Sequence, residues 1–146
     1  MNEKELINEY SSSHQNVTNQ KVHYICVPVI FFNVLAFIYY YLPIAATLAL
    51  VIASLVFYFR SLRTYLPYIL ALYAINLSLC YFLSPLPYFI EINIVLFVLA
   101  WIGQFWGHKV EGKNPSFLRN IFFLLVGPAW VAAKIKNNLV KGNSNP

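Results

Sequence analysis

Three histidines carry the strongest chemical signal in this 146-residue chain. His14 and His23 lie in a polar N-terminal stretch, and His108 lies just past the fourth of the long apolar runs. Asn19 and His23 are four residues apart and so share one helix face. Trp101, Gln104, His108 and Glu111 recur every three or four residues as a single stripe. Within it, His108-x-x-Glu111 can set an imidazole nitrogen beside a carboxylate. Three imidazoles and one carboxylate suit iron or zinc, with coordination positions left open for a substrate. Gln104 and Asn19 are candidates to orient the imidazoles from behind.

His14 and His23 are nine residues apart, which puts them on opposite faces of an unbroken helix. Reaching one site requires a turn near Asn16 to Asn19, with Thr18 or Asn19 capping the helix that follows. The plainer reading is that histidines near a membrane surface are amphipathic side chains at headgroup level. The other chemistry-bearing residues point nowhere specific. Cys26 and Cys80 sit inside apolar runs and read as small buried hydrophobes. Glu91 falls in the first turn of an apolar helix, where it reaches water and complements the helix dipole. The zinc-protease H-E-x-x-H, the P-loop, G-x-G-x-x-G and G-x-S-x-G are all absent from the sequence.

The elements that position the histidines follow from composition. Hydrophobic residues make up 60 % of the chain and charged residues 10 %, against about 45–50 % and about 25 % in soluble domains. Twelve Phe, eleven Tyr and three Trp add more apolar surface than a small soluble domain can bury. The expected fold is an all-α integral membrane bundle. Its four transmembrane helices cover Tyr24–Leu42, Pro43 to about Phe59, about Thr64 to Leu83, and about Tyr88 to Trp106, each long enough for a core about 30 Å thick. A further apolar stretch, about Phe117 to Ala133, has cations at both ends and is broken by Gly127-Pro128, which reads as a re-entrant or interfacial element. The chain thus divides into an N-terminal segment 1–23, a four-helix bundle 24–106, a metal-site segment with the C-terminal element at 107–134, and a flexible tail 135–146.

The net charge of +5 comes without any basic run, so nucleic acid is not an expected partner. Lys4, Lys21, Arg60, Arg63, Lys109 and Lys113 instead mark the two ends and the second loop as cytoplasmic. Four spans then bring all three histidines out on the same face, which an odd number would not.

At these residues the sequence resembles a known family. His14-x4-Asn19-x3-His23, Val27-Pro28, Trp101-x2-Gln104-Phe105-x-Gly107-His108 and Gly127-Pro128 are similar to the membrane 2-hydroxy fatty acid dioxygenases, over about His14 to Ala133. Two positions depart from the fungal-type pattern. Gln15 stands where a second histidine follows the first, and Glu111 is three rather than four residues after His108. The resemblance implies an Fe(II)-dependent enzyme, without nicotinamide or flavin. With O2 it would cleave a long-chain 2-hydroxy fatty acid to carbon dioxide and a fatty acid one carbon shorter. His14, His23 and His108 would be the iron ligands, with Glu111 beside them as a catalytic acid.

A 2-hydroxy acid can chelate iron through its hydroxyl and carboxylate, and a helix bundle offers its tail an apolar berth. Lys113, Lys109 or Arg119 would attract the carboxylate, unless they serve only as topology anchors. The host would be a bacterial inner membrane or endoplasmic reticulum. The competing readings are a small lipid-binding membrane protein without chemistry, and a zinc-dependent membrane hydrolase using His108 and Glu111.

Overall fold

The computed structural model describes residues 1–142, with side-chain surroundings for residues 1–137. It is all helical: α1 (Glu3–Ser12), α2 (Val17–Tyr41), α3 (Ile44–Ser61), α4 (Leu66–Leu83), α5 (Phe89–Glu111) and α6 (Phe123–Gly142). Short 3-10 turns at Arg63–Tyr65 and Ser116–Leu118 lead into α4 and towards α6. Val17–Tyr41, Ile44–Ser61, Arg63–Leu83 and Phe89–Glu111 are long and apolar enough to cross a membrane. A helix suits that setting because it satisfies every backbone amide within the segment.

Breaks fall where the sequence removes helical options. Pro43 separates α2 from α3, and Ser84-Pro85-Leu86-Pro87 separates α4 from α5. Tyr88, at φ 61°, turns the chain into α5. Gly112 ends α5 in the left-handed region at φ 72°, donating its N–H to the His108 carbonyl at 3.0 Å.

The first long helix, Val17–Tyr41, extends beyond the expected span Tyr24–Leu42 and carries Asn19 and His23 together, as their spacing predicts. Its cap is Asn16, whose side chain accepts from Thr18 N–H at 2.8 Å and Asn19 N–H at 3.4 Å, in place of Thr18 or Asn19. Gly127-Pro128 does not interrupt α6, which runs through both residues. Pro128 is only the sixth residue of that helix, and the nearby Leu125 carbonyl accepts the Tyr58 hydroxyl at 2.7 Å. α6 continues to Gly142, into the stretch expected as a tail; residues 143–146 of that stretch lie outside the described residues.

α2 and α5 form the most extensive helix pair. Gly103 and Gly107, four residues apart on α5, make the approach possible. A Cβ on Gly103 would lie 2.8 Å from Cys26 Sγ, and one on Gly107 would lie 2.5 Å from Asn19 Oδ1. Small residues at this spacing let helix backbones close in where lipid supplies no hydrophobic drive. α1, the Arg63–Tyr65 turn and α6 gather at one end of the bundle, where Glu3 accepts the Thr64 N–H at 3.0 Å and α6 packs on both α1 and the turn.

Candidate metal centre

His14 sits on the link between α1 and α2, His23 within the second turn of α2, and His108 near the end of α5. Their ligand-capable atoms all lie within 4.8 Å of one another. The ring centroids are 4.3 Å apart for His14 and His23, and 4.8 Å apart for each of these with His108. All three are buried.

Hydrogen bonds set the tautomers. His14 Nδ1 lies 2.6 Å from the Tyr10 carbonyl oxygen, and His23 Nδ1 lies 2.9 Å from the Asn19 carbonyl oxygen. A carbonyl only accepts, so each Nδ1 carries the proton and each Nε2 presents a lone pair. His14 Nε2 and His108 Nδ1 are buried without any hydrogen-bond partner. Orphaned buried nitrogens cost stability unless something else satisfies them, and a metal ion does so for an imidazole. Burial and the neighbouring His23 ring push the His14 imidazole down to about 3, so it stays neutral, as ligation requires. The donor set therefore fits a cation that accepts three imidazoles, such as Fe(II) or Zn(II).

The surroundings hold this geometry. The Tyr10 ring stacks on His14 at 4.3 Å with an interplanar angle of 6°. Trp130 of α6, fully buried, lies 5.0 Å from His14 and donates its Nε1–H to Ser11 Oγ at 2.9 Å. Ser13 Oγ meets Ser116 Oγ at 2.6 Å, tying the His14 link to the turn before α6.

Glu111 lies outside the three-histidine group. Its carboxylate accepts the backbone N–H of Gln15 at 2.9 Å and of Asn16 at 2.7 Å, and the Asn19 side-chain amide at 3.2 Å. Asn19 also donates to the Ser13 carbonyl at 3.2 Å. Lys113 donates to the Ser12 carbonyl at 2.7 Å, and Arg119 sits 4.0 Å from Glu9. Gln104 lines the cavity at the histidines. Tyr10, Ser13, Ser116 and Trp130 were not among the residues singled out in the sequence. Only the Gly103-x3-Gly107 spacing carried a readable signal for the packing beneath the site.

The histidines occupy one end of a cavity of about 420 Å³. It runs beside α2 from His23 past Val27, Phe31 and Val34 to Ile38, faced by Thr47, Val51 and Ser54 of α3. Apart from the histidines, Gln104, Ser116 and a few hydroxyls, its walls are apolar.

A family model described as 2-hydroxy-palmitic acid dioxygenase Mpo1-like matches residues 2–139. That match spans α1 through most of α6 and includes all three histidines, and the chain belongs to the Mpo1-like family. No curated protein and no solved structure matches the chain.

Proposed function

We propose that this member of the Mpo1-like family is an Fe(II)-dependent dioxygenase. Its reaction takes a long-chain 2-hydroxy fatty acid and O2 to carbon dioxide, water and a fatty acid one carbon shorter. The balance closes without an outside reductant: R–CH(OH)–COOH plus O2 gives R–COOH, CO2 and H2O. The observation that carries this reading is the buried His14, His23 and His108 group, with orphaned ring nitrogens, at the closed end of an apolar cavity.

His14, His23 and His108 would hold the iron, which when bound supplies a site where hydroxy acid and O2 meet. The chain's own residues prepare that site. The Tyr10 and Asn19 carbonyls keep protons on Nδ1 of His14 and His23, leaving Nε2 free on each. Trp130 and Tyr10 exclude water from behind the imidazoles. Glu111 acts by clamping the link that carries His14. Gln104, which lines the cavity beside the histidines, would meet the substrate head, whereas Lys113 is engaged with Ser12 and holds α1. The cationic end of the bundle, with both termini, faces the cytoplasm.

The test is oxygen uptake by detergent-purified, Fe(II)-loaded protein given 2-hydroxypalmitate. Uptake matched by a fifteen-carbon fatty acid, and absent with palmitate, is the expected result. His108→Ala should lose both bound iron and turnover. Turnover that persists in that variant would overturn the assignment of the centre.

A further inference from the structure

Among the described residues, the cavity meets the molecular surface along an apolar slot. Register fixes where. α2 and α3 are joined at Leu42-Pro43, so Ile38 faces Thr47 and Val34 faces Leu50 and Val51 at matching depths. Thr47 Oγ1 donates to the Ile38 carbonyl at 3.4 Å, which closes the far end. One flank is shut by α4: Tyr73 bonds Ser54 Oγ at 2.6 Å and packs on Phe31 at 5.0 Å.

The other flank is open. Val34 (44 % exposed) and Leu50 (49 %) rim it at mid-span, and Ile121 (63 %) and Phe122 (59 %) rim it nearer the histidines, although all four line the cavity. At the histidine end little surface is open: His14 and His23 are 1 % exposed, His108 is 5 % exposed, and Trp130 of α6 is fully buried. The histidines thus present almost no surface to water, while the rim of the slot presents only hydrocarbon side chains, two of them on helices long and apolar enough to cross a membrane.

We propose that the substrate's acyl chain enters sideways from the bilayer, between Val34 and Leu50, and lies along α2 with its carboxylate end at the histidines. This rests on the reading of the site as one for 2-hydroxy fatty acids. Dimensions agree. Fifteen residues from His23 to Ile38 advance about 22 Å at 1.5 Å per residue. A sixteen-carbon chain, advancing about 1.25 Å per carbon from C–C bonds near 1.5 Å, spans about 19 Å. The occupant is a free acid dissolved in the membrane, because the covered histidine end leaves no room for a lipid headgroup.

The experiment uses the full chain, metal-free, in phosphatidylcholine nanodiscs with palmitic acid carrying a photoreactive mid-chain group. Labelled positions are mapped by mass spectrometry. Wild type should be labelled at the inner walls, Phe31 and Val51, and excess 2-hydroxypalmitate should compete. Val34→Trp and Leu50→Trp should each lose that labelling to background, whereas Val95→Trp, exposed on α5 and away from the cavity, should keep it. Unchanged inner labelling in both slot variants, or labelling without competition, overturns the proposal. Because no turnover is needed, slot-dependent labelling without oxygen uptake keeps the route and removes the dioxygenase. Uptake that ignores both tryptophans does the reverse.

Discussion

The carboxylate of Glu111, at the end of α5, accepts the backbone N–H of Asn16 at 2.7 Å. With the Gln15 N–H on its other oxygen, it pins the link between α1 and α2 to the helix that carries His108. The acid thus governs the position of His14 through the backbone beside it.

Removing that clamp should weaken the centre without deleting a donor. Glu111→Ala is expected to lower metal affinity about 10–100-fold, the usual cost of losing a group that supports a ligand. Bound metal at saturation should not change. Titration with Fe(II) or Zn(II) checks both, and a loss of stoichiometry would make Glu111 a ligand itself.

Trp130 is the largest fully buried side chain and packs against Tyr10, His14, His23 and Tyr24. Trp130→Ala should cost about 3–5 kcal/mol of stability and most metal binding. Trp130→Phe forfeits the hydrogen bond to Ser11 Oγ, about 1 kcal/mol, and leaves a smaller cavity than Ala does. Thermal melts in detergent should rank wild type above Phe and Phe well above Ala.

The two α5 glycines should differ. Asn19 is held by Ser13 and Glu111, so the Cβ of Gly107→Ala meets a side chain that cannot yield, at an expected cost of about 1–3 kcal/mol. Gly103→Ala meets Cys26 Sγ, and Cys26→Ala removes that atom. The double variant Gly103→Ala/Cys26→Ala should therefore melt close to wild type, whereas no change at Cys26 should rescue Gly107→Ala.

Acid should destabilise the metal-free protein in a defined window. Native His14 is held near 3 by burial and by His23, against 6.5 for an ordinary imidazole. Below about pH 6.5 the unfolded chain binds a proton there that the native chain does not, so stability falls with pH until about pH 3 and this contribution is absent above about 7. Melting temperature against pH should show that slope, reduced in His14→Gln. Equal slopes in both proteins would contradict the depressed titration.

Much of the architecture was legible because so apolar a composition constrains the fold strongly. The four apolar runs, their Pro breaks and the meeting of His14, His23 and His108 followed from length, charge and an expected even number of crossings. The surroundings of the histidines did not follow. Tyr10 sits in an acidic, polar stretch, and Trp130 in an apolar run beside a proline; nothing local says that both rings close over His14. The cap was ambiguous because Asn16, Thr18 and Asn19 offer similar chemistry within one turn. Tyr58, 67 residues away in sequence, bonds the Leu125 carbonyl, next to the Leu124 carbonyl that Pro128 leaves without a donor. Sequence periodicity cannot register so distant a partner.

Chain order gives the centre a place in biogenesis. His14 and His23 are synthesised before the first long helix is finished, whereas His108 closes the last one and Trp130 follows it. The three imidazoles meet only after every intervening helix has been made. On the proposed reading of the centre and its membrane setting, metal occupancy would be a read-out of completed insertion. A chain with one helix left out of the bilayer would strand His108 on the opposite face and carry no metal, however much of it the cell makes.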